Sequence, residues 1–96
     1  KRLQEEQDAL AADLVNARDA GVAPGSEEAE ALVERHRASI AQWYEATPAR
    51  QLILARMYVD DARFHEAYGG AQDYLLELVT AHAAVEGVDV GNPQWG

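Results

Sequence analysis

The segment from Met57 to Tyr68 constrains the fold of this chain more than any other part of the sequence. Its first residues end a strongly apolar stretch. The carboxylates of Asp60 and Asp61 follow at once, with Arg63 and Phe64 just behind them. Carboxylates are favoured at the start of a helix, where backbone N–H groups lack partners. The segment therefore predicts that one helix ends and another begins with almost no linker between them.

Helical spacing of apolar residues extends through the rest of the chain, and no segment has the pattern of a strand. We expect five helices, at about residues 2–20, 27–44, 48–59, 61–69 and 71–86. Ser26 and Thr47 are the expected N-caps of the second and third helices, Asp60 or Asp61 is that of the fourth, and Pro48 suits a first helical position. Short helices with short connections predict a compact all-α bundle of about five helices.

Residues 1–87 are predicted to form one domain, followed by an irregular tail at residues 88–96. Trp95, in this tail, is expected either to dock on the bundle or to be exposed at a contact with a partner. Because the chain begins without Met and already in helical register, we expect it to be a fragment of a longer protein.

The chain is strongly acidic, with 17 Asp and Glu against 8 Lys and Arg and a formal net charge of −9. Such a surface repels phosphate, which argues against direct contact with nucleic acid or with an anionic membrane. The sequence contains no cysteine, which suits a cytoplasmic protein and excludes thiol chemistry. No apolar run approaches the roughly 20 residues that cross a bilayer.

The sequence predicts neither catalysis nor a metal or cofactor site. The carboxylate pairs Glu27–Glu28 and Asp60–Asp61 fall at helix starts, where capping explains them. His36, His65 and His82 fall on three different helices, and no second histidine lies three or four residues from any of them. We therefore do not expect an enzyme.

Two histidines interrupt apolar stripes, where an imidazole must be hydrogen-bonded or open to a cavity. We expect His82 to be a hydrogen-bonded core residue. For His36 we favour a cavity, with a core position as the alternative. The reason is that Ile40, Trp43 and Tyr44 continue the same face of the expected helix. Adjacent rings point about 100° apart on a helix, so one is expected to line a groove unless both cover the end of the core.

With these residues laid out, the chain resembles the TipAS antibiotic-recognition domain, the C-terminal effector-binding half of certain MerR-type transcription regulators. The resemblance spans roughly residues 10–84. It rests on the motifs Glu34-Arg35-His36-Arg37 with Ile40 and Trp43-Tyr44, Met57-Tyr58-Val59-Asp60-Asp61-Ala62-Arg63-Phe64, and Gly70 with Tyr74-Leu75. The middle motif is the specific one.

The resemblance implies an all-α, globin-like fold with a cleft for bulky, often aromatic or peptide-like antibiotics. It implies that binding is transmitted to a separate N-terminal DNA-binding domain through a dimerising coiled coil, with RNA polymerase as the partner at the promoter. The positions expected to line the cleft and bind ligand are His36, Ile40, Trp43, Tyr44, Met57 and Tyr58. The positions expected to serve as framework are Arg37, Asp61, Arg63 and Phe64.

The chain departs from the family pattern in two ways. Thiopeptide-capturing members carry a cysteine near the positions of Ala46 and Thr47, so binding by this chain is expected to be reversible and non-covalent. Members also have a further N-terminal portion, so part of the cleft wall is expected to be missing. The alternative is a helical protein–protein interaction or dimerisation module without a small-molecule ligand.

Overall fold

A computed structural model of the chain describes the backbone of residues 2–95 and the side chains of residues 4–95. Lys1 and Gly96, which begin and end the predicted domain and tail, lie outside the described residues. The helices are α1 (Arg2–Ala20), α2 (Glu27–Ile40), α3 (Pro48–Asp60), α4 (Ala62–Ala67) and α5 (Gln72–Val85). The described part of the chain contains no strand, so the prediction of an all-α bundle of five helices is confirmed.

Three helices begin where the sequence predicts, each at a side-chain cap. The hydroxyl of Ser26 accepts a hydrogen bond from the backbone N–H of Ala29 at 3.2 Å and starts α2. Thr47 caps α3 in the same way, with Pro48 as the first helical residue. Asp61 accepts from the backbone N–H of Arg63 at 3.0 Å and starts α4. Each cap satisfies an N–H that has no partner within its own helix.

The second helix is shorter than the sequence predicts. It ends at Ile40, and residues 41–46 form a turn, which we call the aromatic turn because it carries Trp43 and Tyr44. The backbone N–H groups of Trp43 and Tyr44 both donate to the Ile40 carbonyl, at 3.0 and 3.1 Å. The prediction that these rings continue the face of His36 on one helix is therefore wrong. The chain has to reverse direction before Thr47 caps α3.

The centre of the bundle is α5, which packs against α1, α2 and α3. Leu75, Leu78 and Val79 of α5 are fully buried, as are Leu14 of α1 and Leu52 of α3. Gly69 and Gly70 lie between α4 and α5. Gly69 and Gly70 have φ of +59° and +83°, in the left-handed region that favours glycine.

The tail, residues 88–95, is irregular in the structure and lies against the bundle. Val88 and Val90 are partly buried against the hydrophobic core. The Arg56 guanidinium of α3 donates to the Val90 carbonyl, and the Val88 N–H donates to the Ala83 carbonyl at 2.9 Å. Among the helices described, none is both long and apolar enough to span a bilayer.

Candidate functional site

A cleft of about 850 Å³ opens between the first turns of α1, the end of α2, the aromatic turn, α3 and α4. Its buried wall is apolar and consists of Leu10, Ile40, Leu54, Tyr58 and Tyr68. The volume falls within the range of about 300–1,000 Å³ that is usual for small-molecule sites. The cleft is therefore large enough for a bulky organic ligand.

The mouth of the cleft carries large exposed apolar side chains. The exposed fraction is 72% for Trp43, 47% for Tyr44 and 52% for Met57, and all three line the cleft. Isolated apolar residues on a surface need no explanation, but a contiguous group beside a cavity is typical of a binding site. These side chains would lose solvent contact if a ligand filled the cleft.

Five of the six positions expected to bind ligand line this cleft together. They are Ile40, Trp43, Tyr44, Met57 and Tyr58. The sixth, His36, is fully buried and lies behind the wall, with its ring 5.6 Å from that of Tyr58. The expectation that His36 faces the cavity is wrong, because its imidazole is surrounded by core residues and hydrogen-bonded there.

The partners of His36 determine its protonation. The Gln51 amide nitrogen lies 3.0 Å from the Val33 carbonyl and 2.9 Å from His36 Nδ1. A carbonyl only accepts, so the amide NH₂ faces it and also donates to Nδ1. The imidazole hydrogen is then on Nε2, which lies 3.4 Å from the Tyr58 hydroxyl. Burial lowers the pKa of His36 to about 4, so the ring is neutral at pH 7.

A cluster of three aromatic rings, Tyr58, Phe64 and Tyr68, forms the inner wall. The ring of Tyr58 stacks on Tyr68 at 5.2 Å and lies 4.4 Å from Phe64. Burial raises the pKa of both tyrosine hydroxyls, which keeps them neutral and able to donate or accept hydrogen bonds. The wall therefore presents flat aromatic surface, which suits contact with an aromatic ligand.

Phe64 lines the cleft, although the family resemblance implies a framework role for it. Tyr68 was not among the predicted site residues at all. A sequence signal for both exists, because residues four apart share one face of a helix. Phe64 and Tyr68 have that spacing, and Tyr58 lies near the end of the preceding apolar stretch.

The sequence model of the TipAS antibiotic-recognition domain matches residues 1–82, which include every residue that lines the cleft. The chain belongs to this family. No curated protein and no solved structure shows significant similarity to it. The tail of this TipAS domain lies beyond the matched residues.

The remaining positions of the TipAS motif form local ion pairs away from the cleft lining. Arg63 contacts Asp61 at 2.6 Å and lowers the pKa of that carboxyl to about 2. The pair stays within the start of α4, where Asp61 also caps the helix. Arg37 donates to Glu34 on its own helix at 2.9 Å and lowers the pKa of that carboxyl. Exposed pairs of this kind stabilise a fold only slightly.

The two other histidines of the TipAS domain are each engaged separately. His82 Nδ1 lies 2.7 Å from a carboxylate oxygen of Glu30, which joins α5 to α2 at a partly exposed position. His82 thus has a partner as expected but lies at the edge of the core. His65 Nε2 lies 3.2 Å from the Val59 carbonyl. Among the residues that the structure describes, no group of three potential ligands converges on a metal position.

The polar side chains of the cleft are mostly uncharged. Gln4, Gln7, Ser39 and Gln42 line it together with two charged residues, Glu6 and Arg35. The Arg35 guanidinium lies 2.6 Å from Asp13, so its charge is largely balanced. The carboxylate of Glu6 therefore determines the sign of the local charge at the α1 wall.

Proposed function

We propose that this TipAS domain is the small-molecule sensor of a MerR-type transcription activator. It binds a bulky hydrophobic or aromatic effector, such as an antibiotic, in the cleft between its helices. The observation that carries the proposal is the cleft itself, with its wall of stacked rings and its exposed mouth of Trp43, Tyr44 and Met57, all within the family match.

Affinity would come mainly from removing apolar surface from water, at about 25 cal/mol for each Å² buried. An aromatic effector that fills the cleft would cover Trp43 and Met57, whose side chains are more than half exposed. The uncharged polar side chains of Gln7, Ser39 and Gln42 supply groups that orient the effector. Met57 has a flexible thioether side chain, which suits a site that accepts ligands of several shapes.

Binding would be reversible, because a chain without cysteine has no thiol that can attach a ligand covalently. The same composition gives no support to an enzymatic role, and a recognition domain needs none. Selectivity would then depend on shape and on the polar groups of the cleft.

In the full-length protein, we propose that a separate N-terminal domain contacts DNA and that the protein acts as a cytoplasmic homodimer with RNA polymerase at the promoter. The net charge of −9 supports DNA contact through another domain, since this one repels phosphate. Side chains from Gln4 to Leu10 of α1 form one wall of the cleft. A bound effector would thus press on the helix nearest to that domain in sequence.

Tryptophan fluorescence tests the proposal, because Trp43 lies at the mouth of the cleft. The chain has two tryptophans, so the titration uses Trp95→Phe as background and a panel of aromatic and peptide-like antibiotics. Saturable quenching that is weakened in the variant that also carries Tyr58→Ala supports a sensor. No response to any compound, with association that rises with protein concentration in light scattering, would instead support a dimerisation or interaction module.

A further inference from the structure

We propose that the tail positions Tyr44 in the wall of the cleft through Trp95, so that Trp95 is a positioning residue for ligand selection. The effect of Trp95 on ligand binding rests on the proposed function, whereas the positioning of Tyr44 by Trp95 does not depend on it. The tail lies beyond the residues that the family model matches.

Trp95 supports the cleft through direct ring contact with Tyr44. The two rings meet edge to face, with centroids 5.3 Å apart and planes at 87°. Edge-to-face packing is a favoured arrangement of aromatic pairs. Tyr44 therefore lines the cleft and also packs against the ring of Trp95.

Arg50, in the first turn of α3, fastens the tail to the aromatic turn. Its Nε donates to the Trp95 carbonyl at 2.7 Å, and its Nη1 donates to the Glu45 carbonyl at 3.2 Å. Its guanidinium carbon also lies 5.1 Å from the centre of the Trp95 ring, within the range of a cation–π contact. One side chain thus links the residue after Tyr44 to the ring that supports Tyr44.

The tail is itself anchored upstream of Trp95, so it can hold the ring in place. The Val88 N–H donates to the Ala83 carbonyl at the end of α5, and Val88 and Val90 pack against the core. Arg56 of α3 donates to the Val90 carbonyl. Arg50 and Arg56 both lie on α3, so one helix holds the tail at two points.

The aromatic turn has few other attachments. The N–H groups of Trp43 and Tyr44 share one acceptor, the Ile40 carbonyl, and both side chains are exposed. Ala46 is the turn residue that packs against the core. A segment with so little buried surface opens locally at low cost, which makes the contact with the tail important for its position.

Hydrogen exchange tests the positioning without any ligand. In the full chain, Trp95→Ala and Arg50→Gln are expected to speed the exchange of the Tyr44 and Thr47 amides about ten-fold, while amides inside α5 stay unchanged. The control is Val85→Ala, an exposed apolar residue on α5 with an exposed fraction of 82%. Unchanged protection of the turn in both tail variants would overturn the proposal.

A double-mutant cycle with tetraphenylphosphonium as the probe tests the consequence for binding. Trp95→Ala is expected to weaken binding about three- to ten-fold in the parent chain, the effect of losing one aromatic pair. The loss should disappear in a Tyr44→Ala background, because Trp95 acts through Tyr44. An equal loss in both backgrounds would contradict the positioning role.

The two tests separate the two proposals. If the parent binds neither the probe nor any antibiotic while the tail variants speed exchange in the turn, the sensor function fails and the positioning of Tyr44 by Trp95 stands. If the parent binds the probe while the tail variants leave both exchange and affinity unchanged, the sensor stands and the role of the tail fails.

Discussion

The side-chain amide of Gln51 donates a hydrogen bond to His36 Nδ1 at 2.9 Å and joins α3 to α2 inside the core. The same nitrogen donates to the Val33 carbonyl, and the far side of the imidazole faces the Tyr58 hydroxyl. A polar connection therefore runs from the centre of the bundle to the wall of the cleft. Gln51 and His36 thus position the ring of Tyr58, although both are fully buried and do not contact a ligand in the cleft.

Gln51→Leu is expected to destabilise the domain by about 2–3 kcal/mol, because it leaves Nδ1 of His36 buried without a donor and removes a second hydrogen bond to the Val33 carbonyl. Urea denaturation measures the change in the free energy of unfolding. The matched control is Gln42→Leu, at an exposed position, which should change that free energy by less than about 0.5 kcal/mol. Equal effects of the two substitutions would show that the buried amide is not important.

Acid is expected to destabilise the domain through His36. Its pKa is about 4 in the folded state, against roughly 6.5 in an unfolded chain, so the unfolded state binds the proton more readily. The contribution of the neutral His36 ring to stability is therefore fully present above the unfolded pKa. As the pH falls from roughly 6.5 to 4, this contribution is lost and the free energy of unfolding decreases by about 3 kcal/mol. Denaturation curves across this range should show the slope, and NMR of the His36 ring should show no titration above pH 5.

The variant His36→Gln isolates this effect. It lowers stability at pH 7 but removes the His36 part of the slope between pH 6.5 and 4. The low pKa of Asp61 contributes in a different window, between its ordinary value near 3.8 and about 2. A parent and a His36→Gln variant with the same slope would disprove the assignment.

The cleft is expected to prefer cations. Glu6 lies on its wall, the charge of Arg35 is balanced by Asp13, and the net charge of the chain is −9. Tetraphenylphosphonium and tetraphenylborate have nearly the same shape and opposite charge. Comparing their affinities by calorimetry therefore isolates the effect of ligand charge on binding. We expect the cation to bind about ten-fold tighter at low salt, with the gap smaller in Glu6→Gln and in 0.5 M salt. Tighter binding of the anion would contradict the predicted preference of the cleft for cations.

Gly69→Ala is expected to destabilise the domain more than Gly70→Ala. Both glycines have positive φ, which strains any L residue and costs about 1 kcal/mol. A Cβ at Gly69 would also meet a methyl carbon of Val15 at 3.2 Å, whereas one at Gly70 would meet open space. Thermal unfolding should therefore give the lower Tm for Gly69→Ala. Equal Tm values would show that Val15 moves aside without cost.

Local features of the sequence predicted the helices well, because caps and apolar spacing depend on neighbouring residues. Ser26, Thr47 and Asp61 each cap a helix with a partner two or three residues away. The end of α2 could not be read in this way. Apolar rings at Trp43 and Tyr44 fit a continued helical face as well as they fit an exposed turn.

The candidate site was only partly predictable, because its decisive contacts are distant in sequence. The apolar stripe around His36 favours a cavity, but the partner of His36, Gln51, comes from another helix, 15 residues on. The contact of Tyr44 with Trp95 joins the aromatic turn to the tail. Contacts of this kind depend on how the helices pack, which spacing along the chain does not reveal.

Intermolecular NOEs between a bound probe and the methyl groups of the domain test the central claim most directly. With tetraphenylphosphonium, the account predicts NOEs to the methyls of Leu10, Ile40 and Leu54, which line the cleft from three different helices. Leu75 and Leu78, fully buried in α5, serve as internal controls and should show none. NOEs confined to exposed side chains outside the cleft, such as Val85, would contradict the claim that the cleft is the binding site.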